Sequence, residues 1–584
     1  MSTIQQRPAA LPPEPSTALV DATAPGTVAD AIAELLTRLG VRAAFGVSGG
    51  GIGPQWAALE RSAIEVLHFR HEAGAAFAAL EHSLVDDAPV VVFTTTGPGL
   101  TNAITGLLAA RWEGARVILL SAATGSGQRG RGAIQETSGY RLAATGLLEA
   151  GAVFDYAAVV DDAAELPQVA RRLANGVGRP QGFVAHVCLA TALQAAPRAT
   201  AIAAPAPRPV VAGPDPAVVA ELAERIRRER FVVWAGFGAR RAAPEVRRLL
   251  ELTGAVAITS PRGKGIVDEH GDGCAGVTGL GGHGPTLETL RTLAPSFALV
   301  LGTRLSEGTS SWSPALVPPN GFVQVDLDPE AIGVAYPEVP TLPVVGDVRL
   351  VLRALLRELE QDPPAPRPRP VVADPWPNAM TPRTGPGPVR PAALLTALQR
   401  QVVDRDVPVL TDGGSAMVWG IHHLRVREPG RFRPSTAWAS MGHGTTGVLG
   451  AAHARSGPAV ALVGDGAMQM LNELNTAAKH DLQAIWVVLN DARYGMVEQG
   501  MRAQGLAGDF RGDETAFPRV DLAKMAEAMG VRGIRVAREE QLEDALARAL
   551  ADGGPVVVDV RIDPHAAAPM GSRIVTLRLQ GAEA

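Results

Sequence analysis

The chain has 584 residues, 46% of them hydrophobic and 19% charged, with a net charge of −5 and two cysteines. At about 150 residues per domain that length implies three or four units, the composition excludes disorder for the bulk, and the weak negative charge supplies no field for holding nucleic acid. Cys188 and Cys274 are too few for a disulfide framework or a Cys-rich zinc site, and no apolar run approaches the roughly 18 residues of a membrane span. The chain therefore reads as cytoplasmic, with small molecules and copies of itself as partners.

Residues 1–26 are polar, carry five prolines and lack a signal-peptide core, and are expected to form a flexible arm. From Thr27 the spacing of Val28, Ile32, Leu35, Leu36 and Leu39 predicts a helix. Short runs such as Ala43–Val47 and Val90–Phe93 then predict strands that alternate with helices, giving an α/β unit over 27–194. An Ala- and Pro-rich stretch, 195–214, breaks every period and predicts a linker. Strands are expected at Phe231–Ala235, Ala255–Ile258, Phe297–Leu301 and Phe322–Asp326 in a second α/β unit, 215–360. The proline-rich 361–388 predicts an extended linker, 389–562 a third α/β unit, and 563–584 a short C-terminal tail. The fold class is α/β, three doubly wound parallel-sheet domains.

The third unit carries the most informative motif. Gly464-Asp465-Gly466 follows the apolar run Ala459–Val463 and precedes a helical stretch, and a second run, Ala484–Leu489, ends in Asn490-Asp491. A glycine turn between strand and helix offers free N–H groups and a favourable dipole to phosphate, while Asp465 offers a hard oxygen to Mg²⁺. Neighbouring parallel strands end at one edge, so Asn490 and Asp491 can reach the same ion there. The arrangement reads as a site for a metal-bound diphosphate. Gly271-Asp272-Gly273 has the same letters but follows no buried strand, and is read as a surface turn.

Several further stretches carry a resemblance. Phe45-Gly46-Val47-Ser48-Gly49-Gly50-Gly51 is similar to a first glycine turn, Arg70-His71-Glu72-Ala73 to a catalytic glutamate segment, and Thr96-Gly97-Pro98-Gly99-Leu100-Thr101-Asn102 to a Gly-Pro-Gly loop. Ala133-Ile134-Gln135-Glu136 looks like a Phe-Gln-Glu, and Met441-Gly442-His443-Gly444 like a Met-Gly-Phe-Gly. Gly263-Lys264-Gly265 and Asp326-Leu327-Asp328-Pro329 match central-domain signatures. On these motifs nearly the whole chain resembles thiamine-diphosphate-dependent enzymes of the acetolactate synthase and 2-oxo-acid decarboxylase superfamily. Their three α/β units are a pyrimidine-binding, a central and a diphosphate-binding domain.

The resemblance implies thiamine diphosphate and Mg²⁺ as cofactors and leaves FAD open, through the Gly236-Phe237-Gly238 and Gly281-Gly282-His283-Gly284 turns. It implies that Glu72 hydrogen-bonds N1′ of the aminopyrimidine, with His71 and Gln135 near the reacting carbon. Cofactor contacts are expected from Gly50, Pro98, Asn102, Ser415, Met441, Gly464, Gly466, Ala467, Tyr494, Gly495 and Met496, Met441 wedging beneath the cofactor. Metal ligands are expected among Asp465, Asp491, Asn490 and the backbone carbonyl of Arg493. The family places the cofactor between two copies, which implies a homodimer or homotetramer with shared sites.

The chain departs from the pattern in three places. Asp491 stands where the family usually has a second Asn, Gly500 where acetolactate synthases commonly carry a tryptophan, and Leu305-Ser306-Glu307-Gly308 where they have Phe-Asp-Asp-Arg. The loss of a large ring predicts room for an acceptor bulkier than a short 2-oxo acid. The leading reading is a carboligase that decarboxylates a 2-oxo acid, pyruvate, and adds the acyl carbanion to a second carbonyl compound. The alternatives are a non-ligating decarboxylase and a degenerate cofactor-binding homologue. A dinucleotide-binding dehydrogenase is disfavoured, since no Gly-x-Gly-x-x-Gly opens a helix with an acidic residue in the expected place.

Overall fold

Strands of two to eight residues, the central ones apolar, form three sheets, each six-stranded and wholly parallel. Helices cover both faces, and this is why central strands such as Val90–Phe93 and Phe297–Leu301 are apolar at every position rather than alternating. The computed structural model describes residues 26–136, 147–198, 202, 206–209, 211, 213–506, 514–571 and 573–576. The expected N-terminal arm, Gly26 excepted, lies outside the described residues, as does the end of the C-terminal tail.

The first sheet comprises β1 (Ala43–Gly46), β2 (Glu65–His68), β3 (Val90–Phe93), β4 (Arg116–Ala123), β5 (Tyr156–Val160) and β6 (Phe183–Ala190), in the order β2-β1-β3-β4-β6-β5. The second comprises β7 (Phe231–Ala235), β8 (Val256–Thr259), β9 (Cys274–Val277), β10 (Phe297–Leu301), β11 (Phe322–Asp326) and β12 (Thr341–Val345), ordered β12-β11-β10-β7-β8-β9. The third comprises β13 (Val409–Thr411), β14 (Phe432–Arg433), β15 (Ala459–Gly464), β16 (Ala484–Asn490), β17 (Arg532–Val536) and β18 (Val556–Arg561), ordered β14-β13-β15-β16-β18-β17. Gly271-Asp272-Gly273 is a turn, as read, and it feeds the edge strand β9, which the sequence patterning did not reveal.

The units are fused by shared cores. One apolar core runs from Val219 in the second unit to Ile562 in the third, and another joins Phe45 and Phe77 of the first to Val448 and Trp486 of the third. The second of these is built on the helix Glu72–Asp86 packed against the helix His443–Arg455. Both are alanine- and glycine-rich and buried over most of their circumference. Contact is close because Gly447 and Gly450 lack a Cβ: one added at 447 would stand 2.7 Å from the Glu81 side chain, and one at 450 would strike the Ala78 carbonyl.

The proline-rich stretch after Gln361 is extended, but it is strapped down. Arg367 donates to the Arg227 carbonyl (2.7 Å), Arg369 to that of Leu250 (3.0 Å), and Trp376 is buried. The described part of the tail also docks, with Ala568 and Met570 buried against Val418 and Met496. Gln499 exchanges two hydrogen bonds with the Ala568 backbone (2.8 and 2.9 Å).

Candidate functional site

β15 and β16 are neighbours with Gly464 opposite Leu489, so the residues that follow them, Asp465 and Asp491, come side by side at the carboxyl edge of the third sheet. Asp465 begins the helix Asp465–Met470. Its Oδ1 accepts from the Gly466 N–H (2.9 Å) and its Oδ2 from the Ala492 N–H (2.7 Å). Ala492 has a φ of +61°, a left-handed turn that costs an L-residue on the order of 1 kcal/mol and folds the loop back over Asp465. Gly495 lets the Asp491 carboxylate lie close to the chain, since a Cβ there would stand 2.9 Å from Asp491 Oδ2 and displace it. Burial and the charge of Asp491 push the Asp465 carboxyl up to about 7, and burial pushes Asp491 up to about 6.

Two desolvated acids at one spot call for a cation. Among the described residues no third His, Cys, Asp or Glu joins them, so further ligands would be neutral protein oxygens, phosphate or water, a donor set that suits Mg²⁺. Asn490 faces elsewhere. It is fully buried, its Nδ2 donates to Asp559 (2.7 Å) and to the Val520 carbonyl (3.1 Å), and its Oδ1 accepts from Arg519 (3.2 Å). The Arg493 side chain pairs with Glu498 at 2.7 Å.

The other expected contacts of this unit surround the acid pair. Gly466 is backed by the Tyr494 ring, Ala467 is buried, and Gly464 has open space where a Cβ would be. Ser415 heads the helix Ser415–His423 behind Gly414, whose φ is +107°. Met441 is 36% exposed in the turn before His443–Arg455. That turn is pinned by Asp412, fully buried just after β13, which accepts from the N–H groups of Gly442 (3.1 Å) and Thr445 (3.0 Å).

At the first sheet, Glu72 opens its helix and is buried. It accepts from Asn102 Nδ2 (3.1 Å), and its Oε1 lies 3.3 Å from where a Gly99 Cβ would be, over the start of the helix Pro98–Glu113. Glu72, Pro98 and Asn102 thus meet, though thirty residues separate Asn102 from Glu72. His71 is the helix cap, its Nδ1 accepting from the Ala73 N–H (3.0 Å). Gln135, at φ +58°, takes a 3.2 Å hydrogen bond from Thr96, and Gly50 lies in a single helical turn with open space at its Cβ position.

The sequence reading missed Glu473. It is fully buried and accepts from the N–H groups of Arg70 (3.0 Å) and His71 (2.9 Å), tying the Glu72 segment to the third unit of the same chain. Little in the sequence signals it, since Leu471-Asn472-Glu473-Leu474-Asn475 mixes polar and apolar residues as an exposed helix would. Of the histidines, His283 is buried with both ring nitrogens hydrogen-bonded to backbone, and burial pushes it down to about 3, which fits packing rather than proton transfer. A separate cavity of about 300 Å³ sits over the carboxyl ends of β7, β10 and β11, with Phe237 beneath the guanidinium groups of Arg240 and Arg262.

Three family models match this chain. Residues 26–142 match the thiamine pyrophosphate enzyme N-terminal TPP binding domain, 219–355 the central domain, and 412–560 the C-terminal TPP binding domain. A putative acetolactate synthase large subunit of Mycobacterium tuberculosis is 28% identical over 568 residues, covering 92% of this chain and 98% of the relative. The acetolactate synthase isozyme 2 large subunit of Escherichia coli is 27% identical over 559 residues, 91% and 95% of the two chains. A putative thiamine pyrophosphate-containing protein of Bacillus subtilis is 28% identical over 555 residues, 92% of each.

Proposed function

The chain belongs to the thiamine pyrophosphate enzymes of the acetolactate synthase superfamily, and from that premise we propose that it is a carboligase acting on a 2-oxo acid donor, pyruvate, and a second carbonyl compound as acceptor. The observation that carries the site assignment is the carboxylate pair of buried Asp465 and half-buried Asp491, with no third acidic or imidazole ligand among the described residues. We assign them, with the Arg493 carbonyl, to Mg²⁺ and through it to the diphosphate; Asn490, spent on Asp559 and Arg519, is left out of the ligand set.

Bound thiamine diphosphate supplies the electron sink that lets a 2-oxo acid lose CO₂. The chain's own residues bind and orient. Glu72, desolvated and fixed by Asn102, is the carboxylate we assign to hydrogen-bond N1′ of the aminopyrimidine. Met441 would support the cofactor ring, Gly464 has open space through which a diphosphate would reach the backbone, and Gly466 and Ser415 lie at helix starts that would face it. His71 and Gln135 border the Glu72 side, and Glu473 keeps that segment in place. In this reading Glu72 serves a cofactor anchored by a second copy, so the working particle is at least a homodimer. No step requires a flavin.

Product analysis separates ligation from simple decarboxylation. Purified protein with Mg²⁺, thiamine diphosphate and pyruvate is offered a second pyruvate or a bulkier ketone or aldehyde. The expected product is the mixed adduct, because Gly500 leaves out a ring-sized wall. Exclusive formation of acetaldehyde would replace ligation with decarboxylation, exclusive acetolactate would remove the open-pocket argument, and failure to bind thiamine diphosphate would remove the whole reading.

A further inference from the structure

Where three domains meet, the structure buries a cluster of charges that the proposed chemistry does not use. Glu81, two turns along the helix that Glu72 heads, receives His443 Nε2 on Oε1 (2.7 Å) and Arg433 Nε at Oε2 (2.6 Å). All three side chains are at least nine-tenths buried. The His443 ring also stacks on Phe77, one turn before Glu81, with centroids 5.4 Å apart and planes within 10°. His443 Nδ1 has no protein hydrogen-bond partner among the described residues, so the hydrogen bonding of this ring rests on Glu81.

His443 is placed to matter. It lies two residues beyond Met441 and starts the helix that packs on Glu72–Asp86, at a position where the resembling enzymes present phenylalanine. The turn before it is held on one side by Asp412 and on the other by this ring. We propose that His443 is a positioning residue of the cofactor site, fixing the Met441–Gly442 turn against the helix headed by Glu72 through its contacts with Glu81 and Phe77. The proposal rests on the thiamine diphosphate reading for what is positioned, and on the geometry alone for the lock itself.

The working form is the imidazolium. Glu81, Glu113 and Asp412 face the ring from the first and third units, and Arg433 and Arg262, the latter paired with Glu113, supply the cations. Burial pushes the Asp412 carboxyl up to about 6; above that value three carboxylates against two guanidiniums leave one negative charge, which a protonated ring cancels. Burial opposes that charge, but the hydrogen bond and charge of Glu81, followed by Glu113 and Asp412, more than offset it and hold His443 above its ordinary 6.5. The sign follows: the lock is complete below 6.5 and is lost as the pH rises through the higher folded-state value. An apolar ring would fill the same space; the charge pair adds register between the two helices and makes that register pH-dependent.

The test compares wild type with H443F, which keeps the stack on Phe77, and with E81Q, which keeps the shape of the carboxylate should H443F not fold. Two quantities are followed from pH 6 to 9: the melting temperature of the cofactor-free protein, and the C2 proton exchange rate of thiamine diphosphate bound with Mg²⁺. In wild type both decline on the alkaline side. In both variants the decline disappears, and at pH 6.5 exchange is slower by roughly 10–100-fold, the size expected of a misplaced group, while thiamine diphosphate affinity changes less than twofold. Variants with wild-type exchange and an unchanged alkaline decline overturn the positioning role alone. A wild type that binds no thiamine diphosphate overturns the cofactor reading and this role with it.

Discussion

The edge of the third sheet and the three-domain junction both bury carboxylates, and they resolve the cost in opposite ways. At the junction, Glu81 and Glu113 meet Arg433, His443 and Arg262, and the Glu81 carboxyl is held below its usual range because, although burial opposes ionisation, Arg433 and His443 outweigh it. At the sheet edge Asp465 and Asp491 stand together, Asp465 held by backbone N–H donors, and burial outweighs the charges of Arg493 and Arg519 nearby, so both carboxyls are pushed up. A self-neutralised cluster holds the protein together, whereas an unneutralised one is a socket for something with charge to bring. Composition alone cannot separate the two; partner geometry does.

That contrast can be extended most decisively at Glu72, a further buried carboxylate, proposed to serve the cofactor rather than the metal or the junction. Glu72→Gln is expected to lower C2 proton exchange by about 10²- to 10⁴-fold, the span of general acid–base contributions, with the melting temperature unchanged. Full exchange in this variant would remove the assignment.

At the socket itself, Asp491→Ala is expected to weaken Mg²⁺-dependent thiamine diphosphate binding by more than the roughly 10–100-fold that loss of an outer-shell partner costs a metal site, while Asp491→Asn retains it. Calorimetric titration reads both. Unchanged affinity in the alanine variant would show that the charge contrast misidentifies the ligand.

The junction predicts the reverse pattern, stability lost and Mg²⁺ binding at the socket untouched. Gly450→Ala places a Cβ against the Ala78 carbonyl, an overpacking expected to cost about 1–3 kcal/mol and to lower the melting temperature by a few degrees. An unaltered melting temperature would mean that the two helices do not pack as closely as the glycines require.

Much of this was readable beforehand, for identifiable reasons. Fully apolar runs such as Val90–Phe93 announce central parallel strands, and a glycine turn after such a run announces a ligand edge, so Asp465 and Asp491 stood out. The edge strands β9 and β12 did not. β9 is four residues long beside a glycine turn, and β12 is half exposed, so neither carries a distinctive period. The partners of Glu473, Asp412 and Glu81 were invisible as a class, because an acid among mixed polar and apolar neighbours looks the same in the sequence whether it is solvated or buried against distant partners.

The sequence by itself determined the three α/β units and the sheet-edge acids, since local periodicity and turn chemistry are properties of short stretches, whereas the Glu72 and Gly-Pro-Gly segments stood out only through their resemblance to a family. Only the tertiary structure decided that Asn490 serves the core while Asp491 faces Asp465. It alone decided that Glu473 grips the Glu72 segment, and that His443 finds a carboxylate 362 positions away. Those outcomes depend on which strand lies beside which and on how closely two glycine-bearing helices approach, and neither is written in any one stretch of chain.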